Sequence, residues 1–453
     1  MWVLHVGGLE MLIEFSVENY LSFRERVTLS MVAANGDRSL PDNTIESVSG
    51  AKLRLLRSVA LYGPNASGKS NLCHAIGFMN WFVGNSATAG VGGGKTGAIP
   101  FKLDDRNRSQ PSTFEVVFIH DGVRYVYGFS VDSERVHEEW LSSYPHGQQR
   151  VLFHRGPNQD AGQGGYYFGP SWGGRKKHFT DLTRPNTLLL PVAAQFNHKT
   201  AQTVVRWFSE NLRTVSWFPT RGFEQVFTCD TAHDPHVRNL ILGYLAKADP
   251  SIRDFAVERV ALEESQEWSQ FPETIKREIP KHVLEDIVEF DVRTFHEAMD
   301  DHGNSVEASF DLSEESDGTQ KLFALAGPWS YVLMKGCIVV VDELDARLHP
   351  ALTRWLVRLF HDPKTNPHGA QLIFTTHSPG LLDHRPQGQP LLRRDQVWLV
   401  EKDAHGGTAL YSLWDFRKPP RRDENIRLGY LAGRYGAVPF MEDTAEFAES
   451  AVE

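Results

Sequence analysis

The sequence predicts an α/β protein: a mixed, mainly parallel sheet as core, an antiparallel β-meander lobe, and a helical insertion. Three observations predict it. A β-branched and aromatic run, RSVALY at 57–62, ends in the glycine loop GPNASGKS at 63–70, and helical spacing of Leu72, Ala75, Ile76, Met79 and Phe82 follows. The apolar run CIVVVDELD at 337–345 delivers two adjacent carboxylates at its end. The last third alternates strand-like and helix-like segments, the pattern of a parallel sheet with helices on its faces.

The remaining elements follow in order. Residues 12–31 alternate apolar and polar side chains and read as an edge hairpin. Residues 84–98, rich in Gly, Ala and Thr, read as a mobile loop. From 113 to 144 three strands turn at Asp121-Gly122 and Asp132-Ser133, a meander. Segments 199–212 and 235–248 have helical spacing, and 255–262 and 287–296 read as strands. Between those strands, 263–286 is charged and polar, an exposed insertion. A helix at 319–334, a strand at 337–342, a helix at 350–361 and a strand at 370–375 lead to a final strand pair, 396–401 and 408–413. The chain thus divides into a short N-terminal extension (1–10), a first lobe (11–200), a helical and β insertion (201–300) and a second lobe (301–453).

Composition excludes several classes. With 57 acidic and 47 basic residues, a net of −10, the chain is not built to be wrapped in nucleic acid over most of its surface. Three basic clusters leave room for a local groove: Arg175-Lys176-Lys177, Arg393-Arg394, and Arg417-Lys418 with Arg421-Arg422. No aromatics interleave them, so a solvated or ion-paired surface is the simpler reading. Three cysteines cannot make a disulfide framework, and no CxxC pair is present, which fits a reducing cytoplasm. The opening MWVLHVGGLE lacks a basic n-region and a cleavage site, and Met11 opens a better strand, so Met1 and Met11 both stand as candidate starts. The apolar stretch 322–341 has the length of a membrane span, but Pro328 and Lys335 interrupt it and Asp342-Glu343 follow; a buried helix and a buried strand fit it better.

Four motifs carry chemistry. The loop at 63–70 matches G-x-x-x-x-G-K-[ST] in the required context, after a strand and opening a helix. Its glycines let backbone N–H groups face phosphate, and the helix N-terminus adds positive partial charge. Lys69 would reach the β- and γ-phosphates and Ser70 would bind Mg²⁺. The second motif sets Asp342 to hold that Mg²⁺ and Glu343 to polarise an attacking water. The third, SEESDGTQK at 313–321, is by itself a Ser/Gly turn and a helix cap. The fourth, LIFTTHSPGLL at 372–382, ends a strand in His377, which could bond the γ-phosphate and orient the water.

Taken together, these residues resemble ABC-type ATPase heads of the SMC/RecF kind, within the AAA-labelled ATP-binding group. More narrowly they resemble the RloA/AbiL-like ATPases of bacterial abortive-infection operons. The resemblance runs from LIEFSVENYLSFRE through GPNASGKSNL, IPFKLD, the RYVYGFSVD…VHEEWL meander, ESDGTQKLF, VVVDELDARLHP and FTTHSPGLLD to GYLAGRYGAVPF, about residues 12–440. It implies a P-loop NTPase fold of ABC-ATPase type. Gly63, Pro64, Asn65, Ala66, Ser67, Gly68, Lys69, Ser70 and Asn71 would hold the nucleotide. Ser70 and Asp342 would serve Mg²⁺, with Gln195 as the Mg²⁺-sensing glutamine. Glu343 would be the catalytic base and His377 the switch histidine. Ser316, Gly318 and Thr319 would form the signature offered to a second subunit's nucleotide, and Asp345 would face the subunit interface. The signature departs from Ser-Gly-Gly-Gln, with Asp317 and Thr319 in the altered places.

The resemblance further implies ATP as substrate, a head-to-tail homodimer or higher homo-oligomer, and a separate operon-encoded nuclease or toxin as effector of an anti-phage switch. The competing reading is a RecF/SMC-like repair ATPase that clamps DNA. A transporter's nucleotide-binding subunit would be shorter, with a regular LSGGQ. A scaffold that binds ATP without turnover would not need Glu343 and His377.

Overall fold

A computed structural model describes residues 10–46, 53–89, 94–156, 165–215, 223–261, 288–383, 390–421 and 424–439. The chain divides into two compact units. The first comprises 1–217, 335–344 and 354–453, and the second 218–334 and 345–353.

The first unit holds two large sheets. One is antiparallel and seven-stranded. It contains β1 (Met11–Glu18), β2 (Val27–Ser30), β6 (Ser112–His120), β7 (Val123–Val131), β8 (Val136–Tyr144), β9 (Arg150–Arg155) and β10 (Tyr166–Phe168), in the order β10-β9-β8-β7-β6-β1-β2. The predicted meander is β6–β8, with Asp121 and Gly122 both at positive φ in its first turn. The expected edge hairpin differs. β1 pairs with β2 on one side and β6 on the other, so only β2 is an edge. A small ribbon, β3 (Thr44–Glu46) with β4 (Arg54–Leu56), precedes the core.

The core sheet contains β5 (Ser58–Tyr62), β11 (Leu212–Val215), β15 (Ile338–Val341), β16 (Gln371–Thr375), β17 (Val397–Lys402) and β18 (Thr408–Ser412), in the order β11-β15-β16-β5-β17-β18. All neighbours run parallel except β18, which turns back on β17. β5, β15 and β16 are buried at every position, as continuous apolar strands covered on both faces must be. This is the expected α/β core with a mainly parallel mixed sheet, with the glycine loop following β5 and the carboxylate strand β15 one strand beyond its neighbour β16.

Helix α1 (Lys69–Ala89) leaves the glycine loop and joins both sheets in one apolar cluster. Its buried positions Leu72, Ala75, Ile76, Phe78, Met79, Phe82 and Val83 wrap around more than one side, as a helix between two layers requires. The helix overrides the expected loop at 84–98. Ser86 is buried, its carbonyl accepts from Thr187 Oγ1 (3.2 Å) and its hydroxyl accepts from Leu188 N (3.4 Å), so packing outweighs the poor propensity of NSATA. Beyond the helix, Thr96 is buried and its N–H donates to the Ser133 carbonyl (3.1 Å), so this part of the segment is pinned. Short α2 (Asp105–Arg108) and α3 (Lys176–Leu182), then α4 (Leu189–Gln195) and α5 (Lys199–Asn211), complete this side. Trp207 of α5 stacks on Phe118 of β6 at 4.0 Å between centroids. Buried Gln371 ties the two sheets: its side chain bonds Leu12 N (2.7 Å), Leu12 O (3.2 Å) and Leu56 O (3.0 Å).

The second unit holds α6 (Phe223–Thr231), α7 (Pro235–Ala248), an antiparallel sheet of β12 (Ile252–Ala261), β13 (Val288–Met299) and β14 (Ser305–Asp311), and most of α8 (Asp317–Lys335). Asp234 caps α7 by accepting from His236 N (2.8 Å) and Val237 N (3.3 Å). Gly327 of α8 packs on Thr228 of α6, where a Cβ would come within 2.6 Å of backbone. The predicted insertion at 263–286 lies outside the described residues. Helices α9 (Pro350–His361) and α10 (Ile426–Leu431) follow later in the chain. No helix among the described residues is long and apolar enough to cross a membrane, and α8 carries Pro328 in its interior.

Candidate nucleotide site

The glycine loop is built by close approach. A Cβ at Gly63 would stand 2.1 Å from the Val400 carbonyl, and one at Gly68 would stand 2.3 Å from Thr408 Oγ1. Gly68 also has φ +111° and Ala66 φ +61°, so the loop turns through left-handed backbone, which glycine permits at Gly68. Distant side chains brace it. The Thr408 hydroxyl donates to the Ser67 carbonyl (2.9 Å) and stands 2.8 Å from Ser22 Oγ, which accepts from Asn71 Nδ2 (2.7 Å). Lys69 is buried at the first position of α1, and its Nζ donates to the loop's own carbonyls, Gly63 O (2.8 Å) and Pro64 O (3.0 Å). Among the described residues, Ser67 Oγ is buried without a hydrogen-bond partner. Pro64 is half-buried, Asn65 and Ala66 are exposed, and Ser70 and Asn71 are half-buried on the first turn of the helix. A cationic group satisfied by backbone carbonyls, an orphan hydroxyl and a helix N-terminus fit a polyphosphate.

Neighbouring parallel strands align the other groups. β16 lies between β5 and β15, with Thr375 opposite Leu61 and Val341 opposite Phe374. Their C-terminal ends therefore carry the glycine loop, the carboxylates and His377 in one row, where open α/β sheets bind ligands. Thr375 organises the carboxylates. Its hydroxyl donates to Asp342 Oδ1 (2.5 Å) and accepts from Glu343 N (2.7 Å), while its carbonyl accepts from Leu344 N (3.1 Å). Glu343 is exposed at φ +50°, a left-handed conformation this hydrogen bonding supports. Asp342 also lies close to α1: burial, and after it the Asp342 charge, push the Cys73 thiol well above its ordinary range.

His377 is exposed just past β16, on a loop held by Tyr62 Oη donating to the Ser378 carbonyl (3.1 Å). A cleft of about 960 Å³ opens here, lined among others by Asn65, His377, Pro379, Tyr430, Gly433 and Val438. That is the size of an ordinary small-molecule site. Its far wall is α10 and the turn after it. The Tyr430 ring meets Tyr62 edge-on at 5.5 Å, Tyr430 Oη donates to the Ala437 carbonyl (3.2 Å), and Ala437 N donates to Glu401 Oε2 (2.9 Å).

Ser316, Gly318, Thr319 and Asp345 belong to the second unit. Ser316 Oγ caps α8 by accepting from Thr319 N (3.2 Å), and it stands 2.9 Å from Thr319 Oγ1. A Cβ at Gly318 would approach the Arg347 carbonyl to 3.2 Å. The Asp345 carbonyl accepts from Leu348 N (3.2 Å). Gln195 is exposed at the end of α4 in the first unit. Of the basic clusters, Arg175, Lys176 and Lys177 are exposed. Arg393 and Arg394 are engaged: Arg393 pairs with Asp395 (2.6 Å) with its side chain fully covered, and Arg394 pairs with Asp37 (2.7 Å). This pair of arginines is therefore not an open phosphate-binding surface.

The sequence reading missed Thr375, Thr408, Ser22 and the α10 wall. Thr375 had a signal, a hydroxyl at the end of a core strand two residues before His377. Ser22 and Thr408 had none, because 386 residues separate the two partners.

A family model described as "AAA domain, putative AbiEii toxin, Type IV TA system" matches residues 58–383. No curated protein matches the sequence. Solved structures similar to the chain include the SMC head domain from Thermotoga maritima, at 14% identity and TM-score 0.36, covering 88% of this chain and 98% of that one. The recombination mediator RecF with ATP is similar at 11% identity and TM-score 0.34, with 83% and 94% covered. An SMC head with coiled coil and joint from Pyrococcus yayanosii is similar at 11% identity and TM-score 0.39, with 94% and 100% covered.

Proposed function

The chain belongs to the AAA-domain family whose model spans 58–383, and from that premise we propose that it is an ATP-driven switch: it binds ATP with Mg²⁺, hydrolyses it, and passes the change of shape to a separate effector. The observation that carries this reading is the row formed by β5, β16 and β15, whose ends bear Lys69, His377 and the pair Asp342-Glu343.

In this reading Lys69 exchanges the Gly63 and Pro64 carbonyls for phosphate oxygens, with the loop N–H groups beside it. Ser70 and Asp342 would hold Mg²⁺, which when bound neutralises charge on the transferred phosphoryl group. Glu343 orients the attacking water and takes its proton, and His377 bonds the γ-phosphate from the cleft side. Thr375 keeps both carboxylates aimed. Catalysis is then positioning plus electrostatics, with no covalent intermediate on the protein.

Ser316, Gly318 and Thr319 would complete the site of a second copy, with Asp345 at the subunit boundary, so ATP favours a head-to-tail dimer and hydrolysis releases it. Gln195 is proposed as the Mg²⁺-sensing glutamine. The family description names a toxin of a type IV toxin–antitoxin system, which supports a role in anti-phage defence of the abortive-infection kind. The effector would be a nuclease or toxin encoded beside this chain.

The test compares Lys69→Ala with Glu343→Gln. Lys69→Ala should lose ATP binding. Glu343→Gln should bind ATP normally and hydrolyse it about 100-fold or more slowly, the span that removing a general base costs. Wild-type hydrolysis by both variants overturns the assignment.

A further inference from the structure

The turn that begins α8 is held from the three-stranded sheet of the second unit. Glu315, the residue before Ser316, has its side chain nearly covered, at 8% exposure. Its Oε1 accepts from Thr294 Oγ1 (2.5 Å) and stands 2.8 Å from His296 Nε2. Both partners lie on β13, pointing to the same face two residues apart. His296 is itself fixed from its other nitrogen: Nδ1 stands 2.9 Å from Ser251 Oγ, which donates to Asp249 Oδ1 (2.6 Å). The Phe310 ring of β14 closes over the imidazole edge-on at 5.0 Å.

The backbone continues the same chain of contacts. The Glu315 carbonyl accepts from Gln320 Nε2 (2.8 Å), and the Ser316 carbonyl accepts from Gln320 N (3.0 Å). On the opposite side Asp317 faces Arg347 at 3.8 Å. Ser316 is thus the immediate neighbour of a residue whose carboxylate is bonded to β13, so the backbone that carries its hydroxyl follows where that carboxylate sits. Helix capping alone does not need this. Ser316 already caps α8, and Glu315 lies outside the helix.

We propose that His296 and Thr294 are positioning residues that act through Glu315 to aim the Ser316 turn at the nucleotide of a second copy. The inference rests on the reading of Ser316 as a residue offered in trans. It gives the small sheet a part in the cycle, because whatever displaces β13 displaces the half-site that the sheet holds. On this reading the residues concerned serve the site of another copy, so their loss acts on assembly and turnover and leaves ATP binding by the glycine loop intact.

The experiment measures ATP affinity, kcat, KM and ATP-induced dimerisation in the full chain. It compares His296→Ala, Glu315→Gln, Ser316→Ala and a control on the same sheet, Arg253→Ala, whose exposed pair with Glu297 (2.9 Å) lies on the face of β13 opposite to Thr294 and His296. His296→Ala and Glu315→Gln should lower kcat about tenfold, short of the roughly hundredfold that a 1 Å misplacement can cost. They should weaken the dimer while ATP affinity stays within about twofold of wild type, and Arg253→Ala should change neither. Melting curves identify any variant that fails to fold; the isosteric Glu315→Gln carries the comparison if His296→Ala does. If Ser316→Ala impairs dimerisation while both sheet-side variants behave as wild type, the positioning role is wrong and the trans reading stands. If Ser316→Ala also behaves as wild type, the trans reading fails and this inference fails with it.

Discussion

Thr375 shows how a single hydroxyl fixes two functional groups. It bonds the Asp342 carboxylate through its hydrogen and the Glu343 backbone through its lone pair. Thr375→Val keeps the shape and the β-propensity of the strand but removes both bonds. Glu343 then loses the anchor of its left-handed conformation, and Asp342 loses a charge-assisted bond worth roughly 1.5–3 kcal/mol. The expected outcome is a fall in kcat of about ten- to a hundredfold and a higher Mg²⁺ requirement, with ATP still bound through Lys69. Steady-state kinetics across a Mg²⁺ titration checks this, and an unchanged kcat would remove Thr375 from the account. At this scale the sequence spoke unevenly. Lys69, Asp342 and Glu343 are legible because local spacing alone constrains them. Thr375 sat beside a recognised histidine yet carried no pattern of its own. The Ser22–Thr408 brace depends on two chain segments meeting and leaves no local trace.

Elements were legible where periodicity and burial agree. The buried strands β5, β15 and β16 and the amphipathic α9 fall within a residue or two of their sequence expectations. Helix α1 ran into the expected loop at 84–98 because Ser86 is buried and bonded to Thr187 and Leu188, a tertiary effect that overrides local propensity. The expected helix at 199–212 overlaps β11 by one residue, and the rest of that four-residue strand was not anticipated because nothing marks it except its pairing with β15. One joint between elements makes a pH prediction. His361, at the end of α9, is buried with Nε2 2.8 Å from Ser58 Oγ of β5. Burial first, then the Arg57 and Arg358 charges, push its imidazole down to about 3. The folded chain keeps His361 neutral while the unfolded chain protonates it near its ordinary value of 6.5. Its contribution is therefore complete above pH 6.5 and is lost as pH falls toward 3, at most about 1.4 kcal/mol per pH unit. His198, also pushed down chiefly by burial, adds to the upper part of the same window. Asp37 acts elsewhere: it is held down at about 2, where its hydrogen bonds to Ser39 and Arg394 outweigh burial, so its contribution is lost only below about pH 4. Urea unfolding between pH 6.5 and 4.5 should show the loss, and His361→Gln should flatten it. An equal slope in the variant would contradict this origin.

For the whole molecule, the fold class was legible because three motifs fall at the ends of β5, β15 and β16, in an order that one sheet topology satisfies. The division into units was less legible, since the second unit draws on two separated stretches, 218–334 and 345–353. The second stretch begins two residues after Glu343, so the chain leaves the candidate site and enters the other unit within a few residues. The proposed switch would need such a crossing, because the nucleotide state would have to reach the surface that an effector reads. The central claim is that one chain supplies only half of each ATP cage. It is tested most directly by the mass in solution of Glu343→Gln with and without Mg²⁺-ATP, measured by light scattering during size exclusion. The account predicts about 51 kDa without nucleotide and twice that with it, with the shift abolished by adding Lys69→Ala. A single-chain mass at saturating, demonstrably bound ATP would contradict it.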